Sequence, residues 1–105
     1  MTTGSNERQS RLETVVGLSK QMLDVATNGD WQQFADLEQR RRQDMLACFE
    51  QPVDASEATA VRNNIKLLMT LNDQLTRCVQ QAREESARQF QSLQQGRRAV
   101  GAYAR

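Results

Sequence analysis

The stretch that decides the fold is residues 54–95, DASEATAVRNNIKLLMTLNDQLTRCVQQAREESARQFQSLQQ. Apolar and small residues follow one another here at alternating steps of three and four, with the step at Gln89 unfilled: Ala58, Val61, Ile65, Leu68, Asn72, Leu75, Val79, Ala82, Ser86 and Leu93. This heptad spacing predicts one long helix of about forty residues, or ~60 Å. Because such a helix cannot cover its own apolar face, the rest of the chain or another chain must do so.

Two shorter helices are predicted upstream, over residues 7–28 and 31–50, after a flexible segment at residues 1–6. Asn28-Gly29 ends the first helix, and Asp30, with Gln33 three residues later, has the spacing of a capping box that begins the second. A connection this short predicts an antiparallel hairpin. Its apolar faces are Leu12, Val15, Val16, Met22, Leu23 and Ala26 on the first helix, and Trp31, Phe34, Leu37, Met45, Cys48 and Phe49 on the second.

Pro52 ends the second helix, and Asp54 with Glu57 forms a second candidate capping box at the start of the long helix, residues 55–95. Gly96 is read as the end of that helix. A short C-terminal helix or tail, residues 97–104, then carries Val100 and Tyr103 on one side. The predicted fold is all-α: a single domain, residues 1–105, in which a helical hairpin packs on one long helix, with a short C-terminal helix.

The composition excludes several classes of function. The chain of 105 residues has a formal net charge of +1 and no histidine, so it has neither a strong field for nucleic acid nor a proton-transfer group for neutral pH. Two cysteines without histidine are too few for a metal site, and we expect Cys48 and Cys78 to be reduced and packed as small apolar residues. No apolar run is long enough to insert into a membrane. We expect no enzyme, no cofactor and no nucleic-acid partner.

Polar residues interrupt the apolar faces at two places. Glu38 and Arg42 are four residues apart in the middle of the second helix, so they can pair. The pair is either buried or half-buried, where it fixes register at little gain in stability, or extended so that both charged groups reach water. Asn72 lies on the heptad face itself, a position where a polar residue sets register at some cost in stability. We interpret all three residues as structural.

The long helix carries more apolar side chains than its heptad face requires. Leu67, Leu71 and Cys78 form a second stripe beside Leu68 and Leu75. This surplus predicts either a fuller core, or a groove for a partner helix, or a face for a homodimer. The predicted partner-binding residues are Leu67, Leu68, Leu71, Leu75 and Cys78, together with Val100 and Tyr103, which would fold back on the stripe as a lid.

Four segments resemble one known family in the correct order along the chain. Residues 29–41, GDWQQFADLEQRR, resemble the "G-D-W, then L-E-x-x-R" segment of the FliT family of flagellar export chaperones. Residues 18–23, LSKQML, resemble its first helix, and residues 71–75, LNDQL, the centre of its long helix. Residues 96–103, GRRAVGAY, are similar to its closing motif.

The resemblance implies a small cytoplasmic protein that binds the C-terminal helical region of the filament-cap protein, prevents its premature self-association and delivers it to the type III export apparatus. It also implies contacts with the export ATPase complex and with a flagellar master transcription regulator. The competing interpretation is a helical coiled-coil regulatory or structural protein without an export role. A chaperone of hook-associated proteins would share the architecture but should lack the tryptophan segment and the tyrosine tail.

Two expectations follow for the stripe of the long helix. Substitution Leu71→Asp should weaken binding of the client without loss of helicity, whereas collapse of the fold would place Leu71 in the core. Deletion of residues 99–105 should tighten binding of the client if those residues act as the lid.

Overall fold

The computed structural model describes residues 3–103, with side chains from residue 7 onward. Three helices follow in order: α1 (Thr3–Thr27), α2 (Trp31–Cys48) and α3 (Ala58–Tyr103), the last preceded by a 3-10 turn, Ala55–Glu57. The described residues contain no strand. The predicted all-α fold, a hairpin packed on a long third helix, is confirmed. Helix α1 begins at Thr3, earlier than predicted, and residues 1–2 of the segment expected to be flexible lie outside the described residues.

The turn between α1 and α2 has the helix end and the cap that the sequence predicted, but only half of the capping box, because the Asp30 N–H donates to the Val25 carbonyl at 2.9 Å and not to the Gln33 side chain. Gly29 adopts a φ of +75°, a left-handed conformation that suits a residue without a Cβ atom. The Asp30 carboxylate then accepts a hydrogen bond from the Gln33 backbone N–H at 3.2 Å and so caps α2. A reversal this tight makes α2 antiparallel to α1.

Helix α1 lies at the centre of the molecule, with α2 and α3 packed against it. Near its first half, a core cluster joins the three helices: Leu12, Val15, Val16, Cys48, Leu68 and Leu71. Toward its C-terminus, a second cluster does the same: Leu18, Met22, Leu37 and Leu75. Because α2 and α3 make little direct contact with each other, the bundle is open on the side between them.

A buried arginine on α1 holds the connection between α2 and the 3-10 turn. Arg8 Nε donates to the Cys48 carbonyl at 2.8 Å, and Nη2 donates to the carbonyls of Gln51 at 2.6 Å and Pro52 at 3.1 Å. Its Nη1 forms an ion pair with Glu57 Oε2. One side chain therefore satisfies backbone acceptors at the end of a helix, where no intrahelical donor remains. The sequence pattern did not reveal this contact.

The second predicted capping box forms only in part. Asp54 accepts from the Ala55 N–H at 3.0 Å and so caps the turn. Glu57 turns instead to Arg8, so its carboxylate stabilises the tertiary contact and not the backbone of Asp54. The prediction was wrong in this respect because a buried cation is a stronger partner for a carboxylate than a solvated amide.

Helix α3 runs without a break through Gly96 and Gly101 to Tyr103. The predicted helix end at Gly96 and the separate short helix at residues 97–104 are therefore corrected to one helix of 46 residues, with residue 104 outside the described range. At 1.5 Å per residue this helix is about 69 Å long, which accounts for most of the 79 Å length of the molecule. From Arg83 onward every described residue is exposed, so the outer part of α3 extends beyond the bundle.

Candidate functional site: an apolar groove between α2 and α3

The open side of the bundle is a groove bounded by α2 and α3. Near the Cys48 end, Val15 of α1 forms part of its floor, and the apolar lining comes from both flanking helices: Met45 and Leu46 of α2, and Ile65, Leu68 and Met69 of α3. Leu46 and Met69 are exposed by 69% and 64%. Two large apolar side chains facing each other in this way form a surface that a partner can cover.

The groove continues toward the other end of the bundle. Its middle is lined by Met22, Phe34, Leu75 and Val79, and its upper end by Trp31, Phe34, Val79 and Ala82. The rings of Trp31 and Phe34 meet edge to face, with centroids 5.3 Å apart, a geometry that fixes both rings in place. From Ile65 to Ser86 on α3 the groove is ~30 Å long, the length of a helix of about twenty residues.

A polar group interrupts the groove in its middle. Glu38, Arg41 and Asn72 line both the lower and the middle part. Arg42 Nη2 donates to Glu38 Oε1 at 2.6 Å, and the two side chains are 68% and 39% exposed. Arg42 reaches water and Glu38 is half-buried, so the pair lies between the two alternatives. Asn72 is exposed as well, so it faces the groove and not the core.

Arg41 is the half-buried residue of this polar group. Its Nη1 donates to Ser19 Oγ at 3.3 Å. Burial lowers the pKa of the Arg41 guanidinium; the charge of Glu38 opposes this effect, and the charge of Arg42 adds to it. The spacing along α2 places Glu38, Arg41 and Arg42 on one arc of the helix, but it predicts a pairing only for Glu38 and Arg42.

The predicted partner-binding residues of α3 fall on two sides of the helix. Leu68, Leu71 and Leu75 are buried in the core, so one of the three residues of the second stripe, Leu71, belongs to the core, the first of the alternatives above. Leu67 is partly exposed and Cys78 half-buried, but neither lines the groove. A role of these five residues in partner binding stays a prediction. Leu68 and Leu75 line the groove from their buried positions, and the groove opens on the flank of α3 marked by Met69, away from Leu67 and Cys78.

Val100 and Tyr103 do not cover the groove in this conformation. They are exposed by 69% and 93% on the outer part of α3. A straight helix drifts about 20° per heptad from a strict heptad repeat, so over the more than five heptads from Ile65 to Tyr103 the stripe turns by roughly 110°.

The groove-lining residues that the sequence analysis missed are Leu46 and Met69. The signal for Met69 was present, since it flanks the heptad face on the side away from Leu67. Leu46 follows Met45, and the periodicity of α2 alone does not show which of two adjacent apolar residues faces the core.

The chemistry of the groove is that of a binding surface. Its lining is apolar with a few arginine, glutamate and amide groups, and the side chains described form no cluster of three or more residues that could hold a metal ion. None of the helices described is sufficiently long and apolar to span a bilayer. The arrangement can bind a helix by apolar contact and direct it by charge.

Comparison with known proteins gives one match. The sequence profile of the family described as "Flagellar protein FliT" matches residues 9–105, which is nearly the whole chain and includes all the residues of the groove. Searches of curated proteins and of solved structures returned no significant match. The match covers α2 with its tryptophan segment and all of α3, the two helices that form the walls of the groove. The chain belongs to the FliT family of flagellar proteins.

Proposed function

We propose that this FliT-family chain is a cytoplasmic export chaperone that holds the C-terminal helical segment of the flagellar filament-cap protein in the groove between α2 and α3. The observation that carries the proposal is the open side of the bundle, where Leu46 and Met69 face each other across an apolar floor. An amphipathic helix of about twenty residues fits the ~30 Å length of the groove. Such a helix would complete a four-helix arrangement, a stable way to bury all the apolar faces.

This mode of binding explains how a chaperone prevents self-association. A client helix that uses its apolar face in the groove cannot use the same face to pair with another copy of the client. The client stays helical and shielded until it reaches the type III export apparatus. The chaperone acts by binding and release, with no catalytic step and no cofactor.

The outer part of α3 offers a separate surface for a second partner. It carries Phe90 and Leu93 outside the bundle, both exposed by more than half. Following the family resemblance, we assign the contact with the export ATPase complex to this outer part of α3. We assign the contact with a flagellar master transcription regulator to the same surface. A second copy of the chain would also fit an exposed helical stripe, as a homodimer.

Two matched substitutions on α3 test the groove. Met69→Asp places a charge in the groove, and Leu67→Asp places the same charge on the opposite flank; both residues are already exposed, so the fold should survive both changes. With a peptide from the cap protein's C-terminal helix, we expect Met69→Asp to weaken binding at least about tenfold, equivalent to 1.4 kcal/mol, because the carboxylate would be desolvated. We expect Leu67→Asp to bind as the unchanged chain does.

Calorimetry gives the affinities, and the fluorescence of Trp31, the sole tryptophan, reports on the groove directly. Docking of the client beside Trp31 should shift its emission to the blue. Loss of binding in Leu67→Asp alone would place the site on the flank first predicted from the sequence. No binding of the cap-protein peptide, together with capture of a transcription regulator, would favour the competing regulatory function.

A further inference from the structure

Arg41 lies in the middle of the groove and forms no ion pair with any side chain described, although the charge of Glu38 on the same helix acts on it. A guanidinium has five N–H donors, and the single hydrogen bond found for it goes to the neutral hydroxyl of Ser19. Ser19 is fully buried, and its own proton is donated to the Val15 carbonyl at 2.9 Å. The bond to Ser19 therefore positions the guanidinium at the groove without neutralising it.

The nearest acidic residue on α2 is already engaged. Glu38 accepts from Arg42 on the exposed rim. Within the part of the chain whose side chains are described, no carboxylate oxygen lies within 4 Å of the Arg41 guanidinium. In the free protein, water reaches the half-buried group and solvates the donors that Ser19 leaves over.

The charge of the groove is locally positive although the whole chain is nearly neutral. Its three parts are lined by three arginines, Arg41, Arg42 and Arg83, against the single glutamate Glu38. Asn72 stands on α3 at the same level as Arg41, since both residues line the lower and the middle part. An oxygen acceptor placed there can meet a guanidinium from one wall and an amide from the other.

A purely apolar helix would be a poor occupant of this groove. Covering Arg41 with hydrocarbon would remove its water and leave a buried charge without a partner, which is strongly unfavourable. A carboxylate on the occupant removes that cost and adds a charge-assisted, two-pronged hydrogen bond. The same residue thus favours one class of helix and disfavours the others.

We propose that the occupant of the groove is an amphipathic helix with a carboxylate in the middle of its apolar face, and that this carboxylate pairs with Arg41 beside Asn72 and sets the register of the complex. This inference rests on the proposed function and specifies its client chemically. Arg41 lies ten residues from Trp31 on α2, or ~15 Å. The carboxylate therefore lies about three turns of the client helix from the contact with Trp31 and about two turns from the contact with Phe34.

A double-mutant cycle between chaperone and client tests the pairing. The full chain, its Arg41→Gln variant and the matched control Arg40→Gln are titrated calorimetrically with a peptide of the cap protein's C-terminal helix. Arg40 is an exposed neighbour that does not line the groove. We expect Arg41→Gln to weaken binding about tenfold or more, as for close charge pairs across interfaces, and Arg40→Gln to leave it unchanged.

Each acidic residue of the peptide is then replaced singly by its amide. One of these peptide replacements should weaken binding to the unchanged chain about as much as Arg41→Gln does. The same replacement should change the affinity for the Arg41→Gln variant little. If every peptide replacement acts additively with Arg41→Gln, or if Arg41→Gln binds as tightly as the control, the pairing does not exist, while the groove and the proposed function stand. If the unchanged chain does not bind the peptide, both the proposed function and this inference are overturned.

The titrations with amide-substituted peptides do not depend on whether the Arg41→Gln variant folds. Loss of a half-buried charge should not destabilise the bundle, and thermal unfolding followed by circular dichroism checks this for Arg41→Gln. If Arg41→Gln unfolds at a lower temperature than the unchanged chain, the peptide replacements measured on the unchanged chain still test the pairing. A loss of affinity confined to one acidic position, about three turns from the Trp31 contact, supports it. Equal effects at all acidic positions overturn it.

Discussion

Two arginines of this chain show how the surroundings of a side chain separate a structural role from a binding role. Arg8 is buried, and four hydrogen bonds to three backbone carbonyls and one carboxylate hold it in place, so its charge is already neutralised within the fold. Arg41 is half-buried with one neutral hydrogen bond. Arg8 therefore links α1 to the connection before α3. Arg41 keeps hydrogen-bond donors available for a partner.

Replacing Arg8 by methionine should destabilise the whole fold. The change keeps a long side chain but leaves Glu57 as a charge beside three carbonyls without donors, and breaking a buried ion pair from one side costs about 3 kcal/mol or more. Urea denaturation, with the loss of helicity as signal, measures the difference in the free energy of unfolding. Arg11→Met, an exposed change on the same helix, is the control and should stay within about 0.5 kcal/mol. Equal midpoints for the two variants would mean that the Arg8 contacts add nothing to stability.

The two thiols should differ in reactivity. Burial raises the pKa of the Cys48 thiol, an effect that Arg11 opposes and Asp44 reinforces, and Cys48 is nearly inaccessible, whereas Cys78 is half-buried. The thiolate is the reactive form, so iodoacetamide should modify Cys78 first, and Cys48 only as the chain unfolds. Mass spectrometry of timed samples identifies the site.

The raised pKa of the Cys48 thiol also makes the free energy of unfolding depend on pH. Because the folded state binds the Cys48 proton more tightly than the unfolded state does, this contribution is complete below the ordinary pKa of 9.0 and is lost as the pH rises above it. Native alkylation of Cys48 as fast as that of Cys78 would contradict both the burial and the direction of the shift.

At the scale of the helices, periodicity predicted what depends on local spacing. The hairpin, the cap at Asp30 and the long heptad helix could be predicted because each needs only residues a few positions apart. The end at Gly96 was predicted wrongly: glycine ends a helix through a left-handed conformation, and among the described glycines only Gly29 adopts one. The flank of α3 that remains open could not be predicted, since it depends on where α2 comes to lie.

Two glycine substitutions should therefore have opposite effects. Gly96→Ala should stabilise the outer part of α3 by roughly 0.5–1 kcal/mol, because alanine is the better helix former and its Cβ would meet nothing within 4 Å. Gly29→Ala should destabilise the hairpin by a similar amount or more, because its φ is positive. Amide hydrogen exchange of residues 88–103 measures the first, and urea denaturation measures the second. Faster exchange in Gly96→Ala would indicate that Gly96 does end the helix in solution.

At the scale of the whole molecule, the sequence shows that the long helix carries surplus apolar residues. It does not show which of them are buried in the core and which stay exposed. Part of this surplus fills the core, through Leu71. Leu71→Asp is therefore expected to unfold the bundle rather than to weaken binding selectively, the outcome that assigns Leu71 to the core. The other part lies on the Met69 side of α3, where no helix of the chain covers it.

The extended C-terminal end of α3 leads to the last prediction. Deletion of residues 99–105 should leave the affinity for the cap-protein peptide within about twofold, because Val100 and Tyr103 project from the helix far from the groove. The urea midpoint should also stay unchanged, since the side chains described there contribute nothing to either core cluster. Calorimetry on the truncated chain measures the affinity, with Phe90→Asp as the comparison. Phe90 is exposed on the outer part of α3 that we assign to a second partner, so this substitution should also leave the affinity for the cap-protein peptide unchanged. Tighter binding after the deletion would mean that the chain also adopts a folded-back form in which its C-terminal residues compete with the client, as first predicted from the sequence.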